Sequence, residues 1–211
     1  MHHEIFKDRI EAGLLLSEKL KKYQGTNSVI LAVPRGGVPL GYIIANTLRL
    51  PLDIVLAKKI GHPNNKEFAI GAISVDSMII DEYPDVPKEY VNNEIIRIRK
   101  LLQEQYERYR GNRKRIAIEN KCIILVDDGI ATGNTLLASI IMLRKKNPAK
   151  IIVAVPVLPY DVVSVIEKNA DECIYLIASK YFKGVGSFYK EFNQVSDDEV
   201  IQMLSLSNGI E

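Results

Sequence analysis

Residues 123–135 read Ile-Ile-Leu-Val-Asp-Asp-Gly-Ile-Ala-Thr-Gly-Asn-Thr, and they indicate a strand, a polar turn and the start of a helix. The four apolar residues at 123–126 predict a strand that is buried on both faces, as in a parallel sheet. Two carboxylates, Asp127 and Asp128, follow it directly. A small loop rich in glycine and threonine then leads into a helix that we expect to begin near Thr135.

Each part of this segment has a chemical use. Adjacent aspartates on an extended backbone point in different directions, so they are able to accept hydrogen bonds from two vicinal hydroxyls or from metal-bound water. The loop 129–135 exposes backbone N–H groups at a helix N-terminus, which is a ready site for a phosphate. A phosphorylated sugar with free hydroxyls would bridge the two. The plainer alternative is that the carboxylates only cap the helix, although a cap needs just one of them.

Strands and helices alternate along the rest of the chain, which predicts an α/β fold: a parallel twisted sheet with helices on both faces. The predicted strands are 28–33, 52–57, 123–126, 150–157 and 173–178, and 68–75 with 78–81 form a predicted hairpin. The predicted helices are 5–23, 38–48, 87–110, 135–146, one from about 159 or 160, and a short one begun by a capping box of Ser196 and Glu199.

The ends of the first two strands are the places to look for ligand-binding groups, because ligands of such sheets bind at the carboxyl ends of the strands. The first strand leads into Pro-Arg-Gly-Gly at 34–37. There Gly36 and Gly37 allow a close backbone approach to an anion, and Arg35 adds a positive charge. The second ends near Lys58 and Lys59. Residues 61–66 have the composition of a mobile loop.

The segment 123–135 resembles the phosphoribosylpyrophosphate (PRPP) signature of type I phosphoribosyltransferases, in which two acidic residues precede a short Thr/Gly loop. The Arg-Gly-Gly loop looks like the pyrophosphate loop of xanthine-guanine enzymes. Over nearly its full length, the chain is most similar to a loosely characterised group within that class. The resemblance implies Mg²⁺-dependent transfer of the 5-phosphoribosyl group of PRPP to a nitrogen acceptor, with release of pyrophosphate.

The resemblance also assigns roles to individual residues. Asp127 and Asp128 would hold the ribose hydroxyls and would meet Mg²⁺, if at all, through water, because PRPP itself supplies most of the metal's ligands. His62 is a candidate donor to the leaving pyrophosphate, and Glu67 a candidate to stabilise the ribosyl cation or take a proton. A solvated histidine and a surface salt bridge are the alternatives for these two. The residues expected to bind the 5′-phosphate are Ala131, Thr132, Gly133, Asn134 and Thr135. Those expected to bind the pyrophosphate are Arg35, Gly36, Gly37, Lys58 and Lys59, and of the two lysines Lys59 is slightly preferred for that role.

The acceptor is expected to meet an aromatic segment after the last core strand. Residues 179–194 hold five of the fifteen Phe and Tyr side chains, and Tyr181 and Phe182 come first. An aromatic face stacks on a planar base, which favours a nucleobase, although a hydrophobic lid on the sheet is an equal alternative. We expect a single domain, 1–211, with a core of about 1–178 and a hood of about 179–211. No Lys–Asp pairing of the hypoxanthine-guanine enzymes is evident there, so the choice of base stays open.

The composition limits the classes of protein and of partner that are open to this chain. The 211 residues are 47% hydrophobic and 26% charged, with a net charge of +2, so nothing global points to nucleic acid or to a membrane surface. Cys122 and Cys173 lie in strand-like segments and are expected to be buried free thiols. The N-terminus lacks the apolar core of a signal peptide. We therefore expect a cytoplasmic protein whose partners are PRPP and a small acceptor, in a homodimer as is common among type I relatives.

Two alternatives come from other classes of protein. The first is a PRPP-sensing regulator that binds RNA or DNA without turnover, and its footprint would be the basic cluster Arg108, Arg110, Arg113, Lys114 and Arg115. The second is an interaction protein that keeps only the fold. Against the first alternative, the cluster lies at a predicted helix C-terminus, where cations are favoured without any ligand. Against the second, the acidic pair, the phosphate loop and the basic residues of the expected PRPP site are all present in the sequence.

Overall fold

The computed structural model of the chain describes residues 5–81, 83–111 and 113–207, apart from the side chain of Glu67. Its main sheet has five parallel strands, as predicted: β1 (Ser28–Ala32), β2 (Leu52–Ile54), β6 (Cys122–Val126), β7 (Lys150–Pro159) and β8 (Glu172–Ser179). They lie in the order β2-β1-β6-β7-β8. The order reverses direction between β1 and β6, and this switch point is where ligands of open α/β sheets bind.

Helices cover both faces of this sheet, because alternate strand residues point to opposite sides. Ile30 and Ile124 belong to a core shared with α1 (Arg9–Lys19), α2 (Gly37–Leu48) and α6 (Asp197–Leu206). Their neighbours Val29 and Ile123 belong to a core on the other face, shared with α4 (Asn134–Arg144) and α5 (Tyr160–Glu167). The strands are buried on both faces, as their continuous apolar sequences predict.

A second, antiparallel sheet is inserted between β2 and β6. It consists of β3 (Ala57–His62), β4 (Asn65–Ser74) and β5 (Met78–Ile80), and it is followed by the long helix α3 (Lys88–Arg110). Ala57 and Ala72 of this sheet pack against Ala138 and Met142 of α4. The predicted hairpin is confirmed as β4 and β5, and the predicted long helix as α3.

Two predictions around β3 were wrong. The expected strand 52–57 ends at Ile54, and Ala57 already belongs to the second sheet, because a continuous apolar run does not reveal where a chain leaves one sheet for another. The expected loop 61–66 is instead the end of a hairpin, with β3 running to His62 and β4 beginning at Asn65. A Cβ on Gly61 would lie 2.5 Å from the carbonyl oxygen of Lys66, so the glycine permits a close approach of strands.

Side-chain caps set the helix ends that periodicity missed. The predicted helix 5–23 begins only at Arg9, because the carboxylate of Asp8 accepts hydrogen bonds from the N–H groups of Ile10 (2.8 Å) and Glu11 (2.9 Å). The capping box of Ser196 and Glu199 is confirmed at the start of α6. Both cysteines are free thiols, as expected, but they are half-buried and not fully buried. No helix of the described residues is long and apolar enough to cross a membrane.

Candidate active site

The pyrophosphate loop, residues 34–37, and the signature loop, residues 127–133, leave adjacent strands at the same height. Ala32 and Val126 are register partners in β1 and β6, and the N–H of Val33 donates to the carbonyl oxygen of Val126 at 2.8 Å. Parallel strands place their carboxyl ends at one edge of the sheet. The strand register therefore brings the two loops, which lie far apart in the sequence, to one place.

Two glycines allow these loops to touch. A Cβ on Gly36 would lie 2.0 Å from Oδ2 of Asp128, and a Cβ on Gly37 would lie 2.6 Å from the carbonyl oxygen of Val126. Neither position has room for a side chain while the loops stay in place. The peptide between Pro34 and Arg35 is cis. The sequence predicted glycine at this loop for a close approach to an anion, and the close approach that the structure contains is to Asp128.

The signature loop ends in a left-handed residue at the start of α4. Gly133 has φ +79° and is the residue before the helix, and its carbonyl accepts the N–H of Leu137 at 2.8 Å. Glycine adopts this conformation without the strain that a Cβ introduces. Ala131, Thr132 and Thr135 are exposed around it. The loop thus presents a helix N-terminus with hydroxyl side chains beside it, an arrangement that suits a phosphate.

A cavity of about 420 Å³ is lined by some of the groups that the sequence singled out, but not by Asp127, Asp128, Arg35, Gly36, Gly37 or residues 131–133. Pro34 of the pyrophosphate loop, Lys58 and Lys59 of β3, and Asn134 and Thr135 at the start of α4 all line it. Helix α3 closes another side with two of its residues, Leu102 and Gln105. The long helix, which had no assigned role in the sequence, therefore forms a wall of the candidate site.

Arg9 is a site residue that sequence reasoning missed. Its Nε (3.0 Å) and Nη2 (2.7 Å) both donate to Oδ2 of Asp128, although the two residues are 119 positions apart. The side chains are largely buried, with exposed fractions of 11% for Arg9 and 14% for Asp128. An arginine at the first position of a surface helix looks like an ordinary solvated residue, so only the folded arrangement reveals the pair.

A C-terminal aromatic segment, residues 189–193, folds over the same pair. The Phe192 ring centroid lies 3.9 Å from the guanidinium carbon of Arg9, whose Nη1 donates to the carbonyl oxygen of Asn193 at 2.7 Å. The hydroxyl of Tyr189 donates to the backbone carbonyl of Asp128 at 2.7 Å. Asp128 is therefore held through both its side chain and its main chain.

Burial makes the two adjacent carboxylates unequal. It raises the pKa of Asp127 well above its ordinary value, and the negative charge of Asp128 raises that pKa further. Burial also raises the pKa of Asp128, but the hydrogen bonds and positive charge of Arg9 oppose that rise. The N–H of Asp128 donates to Oδ1 of Asp127 at 2.8 Å. Asp128, next to a cation, is thus the acid that stays ionised more readily.

Several predicted site residues have other neighbours. His62 is buried at the end of β3, where its Nε2 lies 3.1 Å from Oδ2 of Asp85, and it is not among the residues that line the cavity. Phe182 stacks on Phe188 with ring centroids 5.5 Å apart, whereas 81% of Tyr181 is exposed to solvent. The side chain of Glu67 lies outside the described part of the structure.

Three members of the basic cluster are paired with carboxylates inside the molecule. Arg110 is buried, 3.4 Å from Asp53, and Arg115 lies 2.8 Å from Asp76. Arg108 lies 2.6 Å from Asp197. A nucleic-acid footprint needs cations that face solvent on one surface. Of the three, only Arg110 is withdrawn from such a surface, because the side chains of Arg108 and Arg115 remain 64% and 46% exposed despite their ion pairs.

Metal binding by protein side chains alone has little support at this edge of the sheet. Within the three described ranges, no group of three or more His, Cys, Asp or Glu side chains is placed to hold an ion. The carboxylates of Asp127 and Asp128 fit a magnesium ion that takes most of its oxygen ligands from a bound phosphate compound.

Comparison with known proteins agrees with this architecture. Residues 3–191 match the family model described as phosphoribosyl transferase domain. Two Mycobacterium tuberculosis proteins, each named "Putative phosphoribosyl transferase" (MT0597 and Rv0571c), are 36% identical over 206 residues, which is 95% of this chain and 46% of theirs. The chain therefore spans about half the length of these curated relatives. The crystal structure of TT1426 from Thermus thermophilus matches with TM-score 0.90 and 35% identity, over 97% of this chain and 100% of that one.

Proposed function

Because the chain belongs to the phosphoribosyl transferase domain family, we propose that it is an enzyme that uses PRPP and Mg²⁺. It transfers the 5-phosphoribosyl group to a nitrogen acceptor, with a nucleobase as the class of acceptor, and it releases pyrophosphate. The relatives are longer than this chain, so the activity is proposed for the domain itself.

One observation carries this proposal: Pro34 of the pyrophosphate loop, two lysines, and Asn134 and Thr135 of the expected 5′-phosphate site border one cavity, at the sheet edge where the strand register also places Asp127 and Asp128. PRPP needs all three, because it has an anionic group at each end of its ribose. Holding both ends fixes the anomeric carbon between them, and positioning of this kind supplies much of the rate enhancement in such transfers.

The roles of the residues follow from their charges and places. Arg35, Lys58 and Lys59 stabilise the negative charge that develops on the leaving pyrophosphate, with Gly36 and Gly37 keeping the loop close. The main-chain amides at 131–135 and the hydroxyls of Thr132 and Thr135 bind the 5′-phosphate. Asp127 and Asp128 bind the ribose hydroxyls. A magnesium ion carried with PRPP, with Asp127 and Asp128 able to meet it through water, would supply additional charge neutralisation for the leaving group.

The acceptor site is proposed beside the aromatic residues that follow β8. Tyr181 and Phe182 begin this stretch, and it ends with Tyr189 against Asp128 and Phe192 against Arg9. Aromatic faces bind planar rings by offset stacking, so a flat heterocycle with a ring nitrogen suits this wall. Residues 179–211 are the proposed hood, of which 208–211 lie outside the described residues; a homodimer in the cytoplasm completes the proposal.

The experiment that tests the function is a pyrophosphate-release assay. The protein is mixed with PRPP, MgCl₂ and pooled adenine, guanine, hypoxanthine, xanthine, uracil and orotate, against a control without base. We expect base-dependent release, and division of the pool then names the acceptor. The double variant Asp127→Asn, Asp128→Asn is the matched negative control and should release none.

Two results would contradict the proposal. No release by the wild-type protein, together with a higher melting temperature in PRPP, would indicate a PRPP-binding protein without this turnover. Release that is unchanged in the double aspartate variant would remove these residues from the ribose site.

A further inference from the structure

The two hydrogen bonds from Arg9 reach one oxygen of Asp128 only. Nε and Nη2 both converge on Oδ2, at 3.0 and 2.7 Å, and neither bond uses Oδ1. The missing side chain at Gly36 leaves room for that same oxygen, since a Cβ there would lie 2.0 Å from Oδ2 and 3.0 Å from Oδ1. The guanidinium thus anchors Oδ2 of the carboxylate, and Gly36 leaves the room that this position requires.

Arg9 is fixed from its other side by the C-terminal aromatic segment. Its guanidinium lies over the Phe192 ring at 3.9 Å and donates to the carbonyl oxygen of Asn193 at 2.7 Å. A planar, delocalised group with N–H donors on several edges is able to make all these contacts at once, whereas a lysine ammonium offers only a point charge. The arginine therefore joins α1, the signature and residues 189–193.

We propose that Arg9 is a positioning residue that orients Asp128, so that Oδ1 faces the ribose hydroxyls of PRPP, and that links the aromatic segment to the occupied PRPP site. The inference rests on the proposed function, because it assigns PRPP to the cavity. It adds to the site a residue that acts through Asp128 and does not touch the reacting atoms.

A purely structural role for Arg9 explains its contacts with Asp128 less well than a positioning role does. Removing two charges from water is expensive, and buried ion pairs are seldom more stabilising than apolar side chains of similar volume. Tyr189 adds a second contact from the same segment, by donating to the backbone carbonyl of Asp128 at 2.7 Å. An arrangement that holds one carboxylate by both its side chain and its carbonyl serves orientation. Because the segment reaches Asp128 directly through Tyr189 and indirectly through Arg9, PRPP binding and acceptor binding should be coupled.

The test compares PRPP affinity among variants by titration calorimetry in MgCl₂. Arg9→Ala should weaken PRPP binding about tenfold or more, in line with the usual effect of removing a residue that orients a ligand group. Arg9→Lys should fall between the wild-type protein and Arg9→Ala. Arg97→Ala is the control for loss of an arginine–carboxylate pair, because Nε and Nη2 of Arg97 donate to the two carboxylate oxygens of Glu94, at 2.9 and 2.8 Å, on the exposed face of α3. Its affinity should equal that of the wild-type protein.

Chemical rescue separates orientation from general destabilisation. Millimolar guanidinium should restore PRPP affinity to Arg9→Ala, whereas the same concentration of methylammonium should restore less, since it lacks the planar set of donors. A variant that is merely less stable would not recover affinity in this way.

The outcomes distinguish the two proposals. If the wild-type protein does not bind PRPP, the proposed function fails and this inference falls with it. If the wild-type protein binds PRPP but Arg9→Ala binds it equally well, only the role of Arg9 is overturned. A loss of affinity in Arg9→Ala that guanidinium does not restore would also overturn it, because the defect would then be one of folding. The expected loss with guanidinium-specific recovery supports it.

Discussion

Nη1 of Arg35 lies 3.6 Å from Oδ1 of Asp197, so the arginine of the pyrophosphate loop is paired with the first residue of the last helix. The same carboxylate accepts hydrogen bonds from Arg108 (2.6 Å) and from the hydroxyl of Tyr109 (2.7 Å) at the end of α3. These hydrogen bonds and positive charges lower the pKa of Asp197, so it remains ionised. A bound pyrophosphate would have to draw Arg35 away from this carboxylate or share it.

Substitutions of Arg35 and of Asp197 should have different effects on the affinity for PRPP. Arg35→Ala removes a charge-assisted contact to pyrophosphate and should weaken PRPP binding about tenfold. Asp197→Asn keeps a polar group for Tyr109 but removes the competing charge, so it should bind PRPP at least as tightly as the wild-type protein. Titration calorimetry in MgCl₂ measures both. A weaker affinity in Asp197→Asn would mean that the carboxylate orients Arg35 and does not compete for it.

Asp127→Asn should stabilise the protein at neutral pH. Burial raises the pKa of Asp127 in the folded state above its unfolded value, so the folded state binds more protons and its stability falls as pH rises from about 3.8 towards the folded pKa. The amide removes this penalty and is still able to accept the N–H of Asp128. Thermal melts should show a higher melting temperature for the variant at pH 7, with a difference that shrinks towards pH 4.

The control for this variant is Asp81→Asn, an exposed aspartate that directly follows β5. Its melting temperature should follow that of the wild-type protein across the same pH range. A lower melting temperature for Asp127→Asn at pH 7 would show that the charged form of Asp127 is favoured in the folded protein, contrary to its burial.

Gly133→Ala should damage phosphate binding through the backbone. A Cβ at Gly133 meets its nearest atom, Cγ1 of Val162, at 3.4 Å, which is ordinary contact, so crowding is not the reason. The reason is its φ of +79°, which disfavours any side chain by about 1 kcal/mol. Gly25→Ala is the matched control, since Gly25 has φ +73° with open space around it, away from the site.

Both glycine variants should lose similar stability, with melting temperatures about 2–4 °C lower for each kcal/mol. Only Gly133→Ala should also lose affinity for PRPP and for inorganic phosphate, because the loop relaxes and its N–H groups turn away. Equal phosphate affinity in the two variants would refute the phosphate cradle at 131–135.

The sheet and its loops were predictable because their signals are local. Apolar runs such as 123–126 and 150–157 identify buried strands, and two glycines after a strand identify a tight loop. Parallel-sheet geometry then brings the strand ends together without further information. The same reasoning predicted the hairpin of β4 and β5 and the capping box of α6.

The features of the site that the sequence did not predict depend on contacts between distant residues, for which a single sequence contains no signal. Arg9 is one of many surface-like arginines until Asp128 and Phe192 are placed beside it. The turn residues at 61–66 have the composition of a mobile loop, yet Gly61 is needed there for close strand pairing. The wall formed by Leu102 and Gln105 likewise depends on where α3 docks.

Variants of His62 distinguish a structural role from a catalytic role for the end of the β3–β4 hairpin. Its Nε2 lies 3.1 Å from Asp85, its Nδ1 accepts the N–H of Asn64 at 3.2 Å, and its ring meets Phe68 edge-on. His62→Ala should therefore lose about 1–3 kcal/mol of stability from broken hydrogen bonds, while PRPP affinity stays unchanged. His62→Gln, which is able to donate to Asp85 from a similar position, should recover part of that stability. Thermal melts and calorimetry on the same samples check both statements, and a normal melting temperature with slower pyrophosphate release would instead identify His62 as a donor to the leaving group.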